Sequence, residues 1–329
     1  MRDNKAFAVA PMMEWTDRNC RFFHRLLSSK AVLYTEMVTA DAVRLGDRAR
    51  LLDFNAEEQP VVLQLGGSDP LALAEAAKIA ADWGYSEVNL NVGCPSDRVQ
   101  SGRFGACLMR EPELVGELVA TMIKAVDIPV SVKCRIGVDE QDPGPALDAL
   151  LRSVSDAGCN SVTVHARKAW LQGLSLRENR DIPPLDYDRV YQVKQDFPEL
   201  FIALNGGLVD IEEAAIHLPK VDGVMLGRAA YQTPWILSDV DRVFYGEAKE
   251  PLSRHEIVAL MAEYADRQRM DRGTPVKSVA RHMMGLFQGL PGARAWRRKL
   301  SETIHNEEAT GRTLIEAAAL VPNPDQKAA

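Results

Sequence analysis

The sequence predicts an α/β protein, a (β/α)8 TIM barrel over residues 1–245, followed by a small all-helical domain over 253–321. Eight short apolar runs, each bounded by turn residues, occur before residue 230. Helix-length segments lie between most of them, and strands that alternate with helices pair in parallel through crossovers. Eight such units match a closed barrel of roughly 250 residues, although the same alternation also suits an open doubly wound sheet. The third observation is GEAKEPLS at 246–253, charged and without apolar periodicity, which reads as a linker over 246–252.

The runs are FAVAPM from Phe7, LYTEMV from Leu33, VVLQLGG from Val61, EVNLNVG from Glu87, VSVKCRIG from Val130, SVTVHAR from Ser161, FIALNGG from Phe201 and GVMLGR from Gly223. Helix ends are legible between them. Asp69 and Pro70 open LALAEAAKIAADW ahead of Gly84, and Pro145 opens ALDALLRSVSDA ahead of Gly158. After the linker, Ser253 with Glu256 forms a capping-box pattern before HEIVALMAEYADRQR. Two more helical stretches follow Gly273 and Gly292, and residues 322–329 are expected to be a flexible tail.

The 329 residues are 46% hydrophobic and 26% charged, enough apolar material for a large core. A net charge of −7 excludes a uniformly basic nucleic-acid coat but leaves room for a local patch. No long apolar run suggests a membrane span, and charges stand where an export signal would be apolar, so a cytoplasmic protein is expected. Cys20, Cys94, Cys107, Cys134 and Cys159 are widely spaced with no C-x-x-C, so reduced thiols and no metal site are expected. No two glycines are separated by a single residue and no Gly precedes a Lys, which removes the G-x-G-x-x-G and P-loop readings; H-E-x-x-H is also absent.

In a parallel barrel the active site lies at the carboxyl ends of the strands. There the sequence supplies Gln64, Asn89, Asn91, Cys94, Lys133, Arg135, His165, Asn205 and Arg228. Alternation puts Ser131, Lys133 and Arg135 on one face of strand five, so a cationic group points into the barrel mouth and calls for an anionic or electron-rich partner. Solvation at the strand end and a Schiff-base role are the other readings of Lys133. Gly206 and Gly207 after strand seven, with Gly227 and Arg228 after strand eight, suit a phosphate group. Cys94 sits between Gly93 and Pro95 in a loop, a place for an exposed, reactive thiol, whereas Cys20, Cys134 and Cys159 lie in apolar patterns and read as core. Cys107 is assigned a structural role. The segment PSDRVQSGRFG, with Gly102 and Gly105 as hinges, reads as a lid over the mouth.

From Arg272 to Lys299 the chain carries Arg272, Lys277, Arg281, Arg294, Arg297, Arg298 and Lys299 with no Asp or Glu. Such segregation in an acidic protein marks a polyanion footprint, and Trp296 beside Arg297 suggests a stacking surface; a solvated helix face is the plainer alternative.

The segments APMMEWTDR, LYTEM, LQLGG, NLNVGCPSDRV, VKCRIG, HARKAWLQGLS, NGG and DGVMLGR resemble the motif series of the tRNA-dihydrouridine synthases. NVGCPSDRVQSGRFGACLM and ENRDIPPLDY are most similar to the A subfamily, and the likeness runs from about Phe7 to Gly246 and on into RHMMGLFQGLPGARAWRR. The resemblance implies an FMN enzyme that reduces the C5–C6 double bond of uridine in tRNA, with NADPH as reductant and D-loop uridines 20 and 20a as targets. It implies that Pro11, Met12 and Met13 line the isoalloxazine, with Gln64, Lys133 and His165 on its polar edge. Asn205, Gly206, Gly207, Gly227 and Arg228 would hold the phosphate. Cys94 takes the proton-donor place, and Asn91, Arg177, Arg180, Arg294 and Arg297 are the expected tRNA contacts of a monomeric enzyme. Glu178 and Asp181 leave a local ion-pair reading for the arginines of that loop. A small-molecule flavin ene-reductase, or an enzyme like dihydropyrimidine or dihydroorotate dehydrogenase, is the alternative, but it has no use for the acid-free stretch.

Overall fold

The computed structural model describes residues 5–248 and 250–323. Eight strands, β1 (Phe7–Val9), β2 (Val32–Thr39), β3 (Val61–Gly66), β4 (Glu87–Val92), β5 (Val130–Arg135), β6 (Ser161–His165), β7 (Phe201–Asn205) and β8 (Gly223–Leu226), close into a barrel in sequence order. All eight pairings are parallel, β8 returning to β1 through Phe7 opposite Val224 and Val9 opposite Leu226. This is the predicted (β/α)8 barrel, and closure excludes the open sheet.

Strand lengths differ from the apolar runs for local reasons. The backbone N–H of Ala10 still reaches Leu226 O, at 2.8 Å, but Pro11 has no N–H to continue the ladder. β2 is eight residues long, and its register against β3 shifts between Tyr34 and Met37. β3 runs past Gln64 to Gly66, where an added Cβ would lie 2.7 Å from the Phe104 ring. Ala8, Ala10, Val32, Tyr34, Val62 and Met225 form one buried cluster in this wall.

The helix signals have the expected physical basis. Asp69 caps Pro70–Trp83 by accepting from Ala72 N at 2.6 Å, and Gly84 ends it in the left-handed region at φ 96°. The next legible helix begins at Pro143 rather than Pro145, because Asp142 provides the cap by accepting from Gly144 N at 2.9 Å. Ser253 and Glu256 form the capping box of Arg254–Arg272, with Ser253 N donating to Glu256 Oε2 at 2.7 Å and Glu256 N to Ser253 Oγ at 3.2 Å.

By packing, the described residues divide into one unit within 5–14 and 31–227 and a second within 15–30 and 228–323. The sequence reading placed its boundary at 245/246, on composition. The difference arises from Trp15 to Lys30, remote in sequence but tied to the second unit. Phe22 stacks on Tyr264 at 4.0 Å, Tyr264 Oη donates to Asn19 Oδ1 at 2.8 Å, and Asp241 accepts from Ser29 N at 2.8 Å. Within the anticipated linker, position 249 lies outside the described residues, as do 324–329 of the anticipated tail.

The second unit contains helices Arg254–Arg272, Val276–Ala280, Ala293–Thr303 and Gly311–Ala318, the last not singled out from sequence. Trp296 requires a correction. Adjacent helical residues diverge by about 100°, so Trp296 faces away from Arg297. It is fully buried with Ala293 and Leu300, packs edge-on to Phe287 at 5.0 Å and donates from Nε1 to Met283 O at 3.3 Å. Arg294, Arg297 and Arg298 occupy the exposed side of that helix.

Candidate active site

The site residues converge because β-strand alternation and barrel closure bring the strand ends together. Lys133 on β5 is directly opposite Asn91 on β4 and Thr163 on β6. Its ammonium donates to Asn205 Oδ1 at 3.0 Å, and Asn205 in turn donates to Met225 O at 2.7 Å, which ties β5, β7 and β8 at one end of the barrel. Burial and the neighbouring guanidinium of Arg135 push the Lys133 amine down to about 8, with only the thiols of Cys134 and Cys94 pulling the other way. A cation held without an opposing carboxylate suits an anionic or electron-rich guest.

Arg135 is the last residue of β5, at the carboxyl end of the strand. It donates to Gly93 O at 3.2 Å, Lys168 O at 3.2 Å and Asn179 O at 2.9 Å, joining the loop after β4 to the loop after β6. Its role was not assigned from sequence, although alternation had placed it on the face of Lys133. Asn179 was likewise overlooked: fully buried, it accepts from Trp170 N at 2.7 Å and donates to Trp170 O at 2.9 Å, folding its loop into a fixed shape.

Cys94 is partly exposed in the loop after β4, and Cys20, Cys134 and Cys159 are buried, as their patterns required. Burial pushes the Cys134 thiol to about 12 and Cys159 to about 11. Cys107 is half-buried, and burial raises its thiol also. The Cys94 N–H donates to Asn91 Oδ1 at 2.9 Å and its thiol to Ser96 Oγ at 3.5 Å. Asn91 donates to Gln64 Oε1 at 2.8 Å, so Gln64, Asn91 and Cys94 form one connected group. The segment read as a lid folds as a helix, Asp97–Ser101, and a 3-10 turn, Gly105–Arg110, with Val99 and Phe104 buried.

At β7, Gly206 (φ 111°) and Gly207 (φ 78°) occupy the left-handed region in succession. A Cβ on Gly207 would meet Leu185 Cδ1 at 2.5 Å and Tyr187 Oη at 2.7 Å; one on Gly206 would lie 3.2 Å from the His165 ring. Bare backbone is therefore required beside His165. Gly227 follows β8, with Met12 Sδ 3.7 Å from where its Cβ would stand. Pro11 and Met12 are half-buried and Met13 is 58% exposed, directly after β1. Arg228 opens the helix Arg228–Gln232 of the second unit, next in the chain after Gly227.

The expected tRNA contacts are distributed over both units. Arg177 and Arg180 are exposed; Arg177 pairs with Asp181 at 3.8 Å, a contact of little energy at an exposed site. Arg294 and Arg297 are exposed and engage no described residue by hydrogen bond or ion pair. Arg297 also lines a cavity of about 300 Å³ within the second unit, together with Trp15, Tyr231, Arg281 and His282. Trp15 and Tyr231 stack there at 4.3 Å, partly exposed, an aromatic surface of the kind the sequence had assigned to Trp296. Among the described residues no helix is long and apolar enough to cross a membrane, and no cluster of His, Cys, Asp and Glu could hold a metal.

Residues 8–321 match the family model of dihydrouridine synthases. The chain is 56% identical over 306 residues to a protein of Shewanella oneidensis, covering 93% of this chain and 91% of that one. It is 54% identical over 316 residues to proteins of Vibrio cholerae and Escherichia coli K12, covering 96% of this chain and 96% and 91% of theirs. All three relatives bear the name tRNA-dihydrouridine(20/20a) synthase. With a family match over almost the whole chain and the strand-end groups in place, the protein belongs to the dihydrouridine synthase family.

Proposed function

We propose that this protein reduces the C5–C6 double bond of uridines 20 and 20a in the tRNA D-loop to 5,6-dihydrouridine, with FMN bound in the barrel and NADPH as reductant. The observation that carries the reading is Cys94: a partly exposed thiol on the loop after β4, held through its backbone by Asn91, at the barrel end that also presents Lys133. The names of the relatives support the choice of substrate.

The residues fit FMN, glycines for its phosphate and a cation for its ring edge. Two successive left-handed glycines bare the backbone after β7, and Lys133 is a cation without an opposing carboxylate. Asn205, Gly206, Gly207, Gly227 and Arg228 would hold the phosphate, Asn205 also orienting the Lys133 amine. Gln64, Lys133 and His165 would meet the polar edge of the ring system, and Pro11, Met12 and Met13 its apolar face. When bound, FMN supplies the hydride to C6 of the uracil and is recharged by NADPH.

Cys94 gives its proton to C5 as negative charge develops there and on the adjacent carbonyl, so it must be a thiol rather than a thiolate when it acts. Asn91 would contact the base. Because the target nucleotide is stacked in folded tRNA, it has to be extruded, and the exposed Arg177, Arg180, Arg294 and Arg297 would hold the surrounding phosphates. The protein would act as a monomer in the cytoplasm. Mapping dihydrouridine in tRNA from cells with and without the gene tests the reading. Loss at positions 20 and 20a is expected, and unchanged modification there overturns it.

A further inference from the structure

We propose that Glu87, Ser131 and Asn89 are positioning residues, which fix the orientation of Asn91 and through it the Cys94 loop by a polarised hydrogen-bond chain inside the barrel. The proposal rests on the reading of Cys94 as the proton donor.

The chain starts from Glu87 at the beginning of β4, whose carboxylate accepts from Lys5 Nζ and from Ser131 Oγ. Asn89 Nδ2 donates to Ser131 Oγ at 2.8 Å, Gln64 Nε2 donates to Asn89 Oδ1 at 2.8 Å, and Asn91 Nδ2 donates to Gln64 Oε1 at 2.8 Å. Asn91 Oδ1 then accepts from Gly93 N at 3.1 Å and Cys94 N at 2.9 Å. Register explains the continuity, because Asn89 is the cross-strand partner of both Gln64 and Ser131. Glu87, Asn89 and Asn91 alternate on one face of β4, so the chain spans five residues of strand, about 13 Å. Gln64, Glu87, Asn89, Asn91 and Ser131 are all buried.

Its direction is fixed at both ends. Backbone N–H groups can only donate, so the Asn91 oxygen faces the Cys94 loop and its NH2 faces Gln64; a carboxylate can only accept, so Ser131 donates to Glu87. Between these ends, a single arrangement of the three amides pairs every group. Turning any one of them places donor against donor or acceptor against acceptor in a buried site. With its oxygen occupied twice, Asn91 has only an N–H left to offer, so this position presents a donor to a carbonyl oxygen of whatever base enters. A carboxylate at the far end of β4 thereby sets the polarity at the reacting end.

The test follows Cys94 directly, by its alkylation with iodoacetamide, quantified by peptide mass spectrometry with Cys107 as internal reference. Ser131→Ala should free the loop and speed Cys94 alkylation about tenfold without changing Cys107, and lower kcat on unmodified tRNA by a similar factor. Reduction of the flavin by NADPH should be unaffected, and Ser131→Thr, which keeps the hydroxyl, should restore both values. Glu87→Ala should match Ser131→Ala, and Ser131→Ala alone decides should the former not fold. Equal changes at Cys94 and Cys107, no change at either, or failure of the Thr variant to restore them would overturn the proposal. Cys94→Ala in the same turnover assay separates the two readings: continued dihydrouridine formation would overturn the role of Cys94, while the alkylation rates still judge the chain.

Discussion

Lys133 and Cys94 show how single side chains acquire their chemistry from place. The Lys133 amine stands at about 8 in the folded protein against an ordinary 10.5, because burial and Arg135 disfavour its charge. Below about 8 the amine is already charged and donates directly to the electron-rich edge of the flavin; above it, binding must first restore the proton. FMN affinity is therefore expected to be constant at lower pH and to weaken by up to about tenfold per pH unit above about 8, which fluorescence titration would read. Lys133→Met should bind more weakly and flatten that dependence. For Cys94, replacement by Ala should leave flavin binding and its reduction by NADPH intact while dihydrouridine formation falls about 10²–10⁴-fold, the range of a lost general acid. A loss of only a few-fold in single-turnover assays would exclude the role.

At the scale of elements, helix Arg18–Leu27 begins at Asp17, which accepts from Asn19 N at 2.9 Å and Cys20 N at 3.0 Å. The same carboxylate pairs with Arg281 at 2.7 Å and His282 at 3.0 Å, so one residue both caps a helix and joins it to residues far along the chain. Burial works to raise its pKa, but the bonds from His282, the Cys20 backbone and Arg281 outweigh this and bring it down to about 2. A lowered carboxylate stabilises fully above its unfolded value of 3.8, and that contribution is lost as pH falls through about 2. Asp17→Asn should therefore cost roughly 2 kcal/mol at neutral pH, and urea unfolding should show the difference shrinking between about pH 4 and 2. Trp296→Ala removes a buried ring and should cost roughly 3–5 kcal/mol. Thermal melts would detect it, whereas Trp296 on a binding surface would leave them unchanged.

For the whole molecule, a net charge of −7 coexists with an acid-free stretch whose exposed Arg294 and Arg297 have no described partner. A polyanion would approach that face against little local repulsion. Arg294→Ala or Arg297→Ala should weaken tRNA binding and lower its salt slope by about one unit or less, with NADPH oxidation unchanged. Filter binding across a salt series measures both. Unchanged affinity and slope would leave the stretch as a solvated helix face.

The sequence by itself determined the eight strands, since each apolar run ends in a turn residue, and it exposed the strand-end polar groups, whose place in a parallel barrel is fixed by alternation. Gln64, Lys133, His165 and Asn205 were legible for that reason, and Cys94 because Gly93 and Pro95 mark a loop. Tertiary structure alone decided what depends on contacts between residues far apart in the chain. Trp15 to Lys30 joined the second unit through partners more than two hundred residues away, such as Tyr264 to Asn19. Trp296 went inward because the helix faces its neighbours on one side only, a choice that the adjacent Arg297 could not reveal. Glu87, Ser131 and Arg135 gained their roles from register across β3, β4 and β5 and from loop closure, and hydrogen-bond partners set by register do not appear in the order of residues along a chain.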